Sequence, residues 1–304
     1  MKRTFLSLLL AGACAALVSG QTSHIRPARL PFGVPIQVVP DTSPDADKLM
    51  LYHGGPVMLG TNALYIIYYG TFSTGQNGTT TIINDFFSHV GGSGNYNVNT
   101  TYYDKNGNHI INSLSFSPTN NVYNDNYSIG KNIGGNGIEK IVKSALTGGH
   151  LPVQTAAIYF VVTAPDVTGS EISGLCAFHG NSTKLVLGTN IIYSAIPDFA
   201  GAPLKSCDGN IQIYHEKNGP NNNLGADDAL DSFMHELSES VTDPDGNAWW
   251  GRRGEVGDIC NFNYGTTYIA PNGTHANTHL GNRDYLVQTI WENTGNGFCA
   301  NSLP

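Results

Sequence analysis

The densest group of reactive side chains in this chain is His235-Glu236-Leu237-Ser238-Glu239, followed directly by Ser240-Val241-Thr242-Asp243-Pro244. It reads His-Glu-x-x-Glu, one residue type away from the His-Glu-x-x-His of zinc hydrolases. On a helix, residues four apart stand one above the other. His235 and Glu239 would then offer an imidazole nitrogen and a carboxylate oxygen to one cation, both accepted zinc donors. Glu236, one step round the helix, would deprotonate a water bound to that metal. Zinc needs a third ligand from elsewhere in the chain. Glu255-Val256-Gly257-Asp258-Ile259-Cys260 supplies it, with Asp258 as the predicted ligand and Glu255 as the alternative. Two carboxylates and one imidazole are harder donors than the usual pair of histidines, which leaves manganese and calcium in competition with zinc. The competing reading is a solvated helix face in which Glu239 bonds to nearby backbone.

Other candidates carry less. Asp243, Asp245 and Asn247 follow the helix and would suit calcium, although Asp-Gly-Asn after a helix-stopping proline reads first as a plain turn. Asp243 is also placed to orient His235 through its second ring nitrogen. His53 and His179 stand where apolar runs meet glycine turns, as ligands, substrate contacts or backbone-bonded histidines. Trp249-Trp250, followed by Arg252-Arg253, reads equally as a stacking shelf for sugar or peptide and as core. Asp104-Lys105-Asn106-Gly107-Asn108 resembles the start of a calcium loop, but Ser115 stands where its closing acid should be. No Gly-x-Ser-x-Gly word or phosphate loop is present.

The helix that would carry the metal ligands is predicted over 227–242, with Leu230, Phe233 or Met234, Leu237 and Val241 as its buried stripe. His235 and Glu239 would lie off that stripe and face a cleft. Upstream, 63–69 and 156–162 are apolar runs expected as buried strands, and 185–187 as a shorter one. Residues 79–89 and 137–146 carry helical spacing. Alternation over 98–103 and 109–116, with Asn-Gly between, predicts a β-hairpin. Residues 285–291 are expected as a final strand. The order gives an α+β fold, a mixed β-sheet with helices on one face, in a zincin-like arrangement with a loop-rich C-terminal part.

Lys2-Arg3, the apolar run from Phe5 to Val18 and the small residues Ser19-Gly20 read as a secretory signal peptide over residues 1–20. Residues 21–48 read as an extended linker or propeptide-like segment, and 49–304 as a single catalytic or binding domain. No later run is long enough to span a bilayer. Removing Lys2 and Arg3 takes the formal charge from −8 to −10, which argues against a nucleic-acid partner. A peptide or a cell-wall polysaccharide remains as the expected partner. Cys14 leaves with the signal, so Cys176, Cys207, Cys260 and Cys299 form two disulfides in an oxidising compartment. The local pairing Cys176–Cys207 with Cys260–Cys299 is preferred among the three arrangements that four cysteines allow. Glycosylation acceptors stand at Asn77, Asn99, Asn126, Asn181 and Asn272.

Several separated words resemble the EXORDIUM or phosphate-induced protein family. They are Tyr52-His53-Gly54-Gly55-Pro56-Val57, Ile67-Tyr68-Tyr69-Gly70, Tyr127-Ser128-Ile129-Gly130-Lys131 and Cys176-Ala177-Phe178-His179-Gly180. Val241-Thr242-Asp243-Pro244 resembles the family's Val-Thr-Asn-Pro. The stretch Gly281-Asn282-Arg283-Asp284-Tyr285-Leu286 to Trp291, then Cys299, resembles its closing strand. The resemblance implies an extracellular, wall-associated protein tied to growth, without an agreed reaction. Plant members lack His and Glu at the positions of His235, Glu236 and Glu239. In those residues the chain resembles a microbial branch, His-Glu-x-x-Glu-x-x-Thr-Asp-Pro followed by Glu-x-Gly-Asp-x-Cys. Two functions follow as expectations: a secreted zinc-dependent hydrolase, most simply a metallopeptidase, or a non-enzymatic extracellular binding protein.

Overall fold

The computed structural model describes residues 24–25, 50–173, 175–197, 207 and 209–304. The expected signal peptide, and all of the expected lead-in except residues 24–25, lie outside the described residues. A seven-stranded mixed sheet forms the centre. In chain order its strands are β1 (His24–Ile25), β3 (Asn62–Tyr69), β4 (Leu114–Ser115), β5 (Val122–Asp125), β6 (Ala157–Thr163), β7 (Phe178–Val186) and β8 (Thr189–Pro197). Between the first two of these, β2 (Leu51–Tyr52) pairs outside the sheet with β9 (Trp249–Trp250). The order across the sheet is β1-β7-β8-β6-β3-β4, with β5 also on β3. β3, β4, β5, β6 and β8 run parallel, β7 is antiparallel to β8, and β1 is antiparallel to β7 and so runs with the parallel set.

The apolar run of β3 is continuous because both of its faces are covered, as in parallel sheets generally. Leu64, Ile66 and Tyr68 join one core with α1 (Thr79–Val90) and α5 (Leu224–Thr242). Tyr65, Ile67 and Tyr69 join a second core with α3 (Gly137–Thr147). Helices therefore cover both faces, where the sequence pointed to one. The short helices α2 (Gly94–Asn97) and α4 (Gly209–Tyr214) connect these layers.

Of the hairpin expected over 98–116 only the tip forms, with a single antiparallel bridge between Tyr103 and His109. Val98–Thr101 is a 3-10 turn, because the Thr100 and Thr101 hydroxyls donate to the carbonyls of Asn97 and Val98, three residues back. Such local bonds compete with a strand ladder. The turn at its centre is real: Asp104 Oδ1 accepts from the backbone of Asn106 and Asn108. The 185–187 run proved to be the end of β7, which turns at Gly188 into β8.

The last part of the chain folds as short hairpins: β10 (Tyr268–Ile269) with β11 (His275–Ala276), β12 (Thr278–Leu280) with β13 (Arg283–Tyr285), and β14 (Ile290–Glu292) with β15 (Phe298–Ala300). The expected 285–291 strand is thus split. Asn277 accepts from Val287 N and donates to its carbonyl, so a side chain takes the place of a neighbouring strand. Disulfides join Cys176 to Cys207 and Cys260 to Cys299, the preferred pairing. Among the described residues, no helix is long and apolar enough to cross a membrane. Of the glycosylation acceptors, Asn77, Asn126 and Asn272 are exposed, whereas Asn99 is buried and Asn181 donates to Asp245 and Asn190.

Candidate metal centre

Helix α5 begins three residues earlier than its apolar pattern suggested. Asn223 caps it by accepting from Ala226 N, and Asp243 ends it ahead of Pro244. Leu230, Phe233, Met234, Leu237 and Val241 are buried as expected, each contributing roughly 1.5–3 kcal/mol. The opposite face is buried too. His235, Glu236 and Glu239 are 0, 1 and 3 % exposed, so they form an internal polar cluster rather than a solvated face or an open cleft. Burying carboxylates at this cost requires compensating partners.

The turn Asp258–Cys260 supplies one of them. His235 Nε2 lies 2.9 Å from Glu239 Oε1 and 3.6 Å from Asp258 Oδ1. One donor atom from each of the three falls within 4.8 Å of the others. Ligands about 2.0–2.1 Å from a tetrahedral ion stand about 3.4 Å apart, so this donor spacing suits zinc. Glu239 also accepts from Asp258 N at 3.2 Å, and Asp258 Oδ2 from Glu255 N at 3.1 Å, which holds the acidic arm against the helix. Gly257 lets that arm come close. A Cβ there would stand 2.7 Å from the His235 ring.

The second nitrogen of His235 meets Gln288, where the sequence suggested Asp243. Gln288 Nε2 lies 2.6 Å from the Gly257 carbonyl and 3.0 Å from His235 Nδ1. A carbonyl accepts only, so the amide nitrogen donates to both and Nδ1 is an acceptor. In that tautomer His235 carries its proton on Nε2, the nitrogen that faces Glu239 Oε1 at 2.9 Å. A cation held at Nε2 would require the ring proton on Nδ1, with the Gln288 side chain turned to accept it.

His179, from β7, completes the cluster. Its Nε2 is 3.2 Å from Glu255 Oε2 and 3.8 Å from Glu239 Oε2. With Glu236 and Glu239 it forms a second group whose donor atoms lie within 4.8 Å. Burial holds His179 below the ordinary histidine range, outweighing the pull of Glu239, Asp243 and Asp258. Burial also raises Glu255 well above the carboxylate range, and the charges of Glu239, Asp243 and Asp258 push the same way. The neutral forms of both are favoured. Glu255 thus pairs with His179 instead of joining the His235 group. Nothing in the residue spacing singled out His179 from His53; only the register of β7 beside α5 does so.

Asp243 borders this cluster, with its side chain bonded to Glu255, while the remaining candidates are placed elsewhere. Asp243 Oδ1 accepts from the amides of Asn247 and Ala248, both at 2.6 Å, while Asp245 Oδ1 accepts from Asn181 and Asn190. Those are the bonds of a helix-ending turn and a neighbouring hairpin. Trp249 is 3 % exposed, donates to the Tyr103 carbonyl and packs on Tyr52 and Tyr102, so it belongs to the core. Trp250 is 39 % exposed and stacks on His53, ring centroids 3.6 Å apart.

These features define a disulfide-linked protein of mixed sheet and helices with a buried imidazole–carboxylate centre. The chain belongs to the phosphate-induced protein 1 family, whose conserved region it matches over residues 50–301. It is 27% identical over 288 residues to Protein EXORDIUM-like 3 of Arabidopsis thaliana, covering 79% of each chain. It is 26% identical over 229 residues to Protein PHOSPHATE-INDUCED 1 of Nicotiana tabacum, covering 67% of this chain and 68% of that one. No solved structure matches it.

Proposed function

We propose that this chain is an exported, zincin-like metal-dependent hydrolase of the branch that carries His-Glu-x-x-Glu, with a peptide bond as the first substrate to test. The observation that carries the reading is the convergence of His235, Glu239 and Asp258 donor atoms, from a helix and a separate turn, within 4.8 Å. The charges acting on Glu255 and His179 there are all negative, so a cation is the natural counter-charge. A divalent cation held there would polarise a carbonyl and make bound water acidic. Glu236 stands beside the same group and takes the proton from water. Asp258 is the most exposed ligand, its side chain 25% accessible, and so marks the side from which substrate enters. Two disulfides fit passage through an oxidising compartment and an extracellular or wall-associated location.

Metal analysis of the secreted protein tests this directly. At least one equivalent of zinc or manganese is expected, with the ion at His235 lost in His235→Ala and kept in Glu236→Gln, and peptide hydrolysis lost in both. Metal-free protein with intact ligands removes the reading. The second reading, polysaccharide binding without catalysis, rests on the exposed Trp250 stacked on His53. It predicts wall-polysaccharide binding that survives His235→Ala and falls in Trp250→Ala.

A further inference from the structure

Glu239 faces two imidazoles at once. Its Oε1 lies 2.9 Å from His235 Nε2, and its Oε2 lies 3.8 Å from His179 Nε2. His179 and Glu239 are joined by Glu236 in a group whose three donor atoms fall within 4.8 Å of one another, all from buried side chains. The group combines β7 with α5, so its spacing is set by two packed elements. A carboxylate with one oxygen directed at each of two donor sets is the bridging arrangement of two-ion centres, where the ions stand about 3.5–4 Å apart.

We propose that His179, Glu236 and Glu239 hold a second divalent cation, adjacent to the one at His235, Glu239 and Asp258 and bridged to it by the Glu239 carboxylate. The inference rests on the metal reading of the first group. Two divalent ions bring four positive charges, and Glu236, Glu239 and Asp258 balance three of them, with Glu255 and Asp243 adjacent. His179 Nε2 is 3.2 Å from Glu255, so the second cation must displace the proton shared by that pair. Glu236 is a ligand in the doubly loaded form. Only the singly loaded form leaves it to act as a base.

The test uses the full secreted protein, stripped with chelator and titrated with zinc by equilibrium dialysis, then with manganese for electron paramagnetic resonance. Wild type is expected to take up two equivalents of zinc. His179→Ala should keep one, His235→Ala should keep one, and Glu239→Gln should weaken both. At two equivalents of manganese the spectrum should show an exchange-coupled pair, replaced by an isolated ion in His179→Ala. The wild-type measurements hold whether or not a variant folds. One equivalent in wild type, or two without coupling, overturns the bridged second site and leaves the hydrolase reading standing. No bound metal in wild type overturns both.

Discussion

Glu239→Gln should leave the metal-stripped protein more stable than stripped wild type while abolishing its response to metal. Glu236 and Glu239 are 1 and 3 % exposed and bring donor atoms within 4.8 Å of each other. With an effective dielectric of about 20, two like charges at that distance repel by about 3 kcal/mol. Glutamine keeps an oxygen for Asp258 N and for the contact with His235, but both lose their charge assistance, at about 1–2 kcal/mol. The stripped variant should therefore exceed stripped wild type by about 1–2 kcal/mol. Zinc at a hundred times its dissociation constant should in turn stabilise wild type by about 2.7 kcal/mol and the variant by almost nothing. Urea unfolding near neutral pH, with chelator and with zinc, measures all four values. A wild-type midpoint indifferent to both, or a stripped variant clearly below stripped wild type, would refute the reasoning.

Further outcomes follow from the same geometry. In the metal-free protein Glu255 is raised by burial and Asp227 is raised to about 7, whereas His179 is lowered. Raised acids such as these give stability that is fully present below their unfolded values near 4 and lost as pH rises through their folded values. His179 gives stability present above about 6.5 and lost on acidification. While each raised acid titrates, stability should fall by up to about 1.4 kcal/mol per pH unit, and Glu255→Gln should remove its share of that slope in urea unfolding. Gly257→Ala would place a methyl carbon 2.7 Å from the His235 ring, and zinc affinity measured by dialysis should drop at least tenfold. Trp249→Ala should cost about 3–5 kcal/mol in chemical unfolding, since its ring is core, while Trp250→Ala should cost little.

The parts of this fold that were legible are those whose pattern has one physical reading. Residues 63–69 can only be a strand buried on both faces, and the four-residue step from His235 to Glu239 fixes their shared face once a helix forms. Asp258 was reachable because an acidic word stands next to a cysteine that must be bridged. The hairpin expectation failed where alternation of small polar and apolar residues suits a 3-10 turn equally well, and two threonine hydroxyls decided it. His179 was beyond the residue pattern. It is a single histidine in a strand remote in sequence from α5, brought to Glu239 only by the antiparallel register of β7 on β8. The polar underside of α5 misled in a simpler way. Charged residues on a helix usually mean solvent, and here the late loops around Gln288 and Asp258 close over them.

Asp258 sits on the turn that ends in Cys260, and Cys260 is fastened to Cys299 beside the C-terminus. The position of the acidic arm is thereby tied to oxidation of these two thiols. A chain whose thiols are still reduced keeps its helical side chains but lacks this covalent tie, so the Asp258 arm rests on hydrogen bonds, those to Glu239 and Glu255 among them. A thiol reductant that reaches this bond would loosen the arm without altering any side chain of the centre.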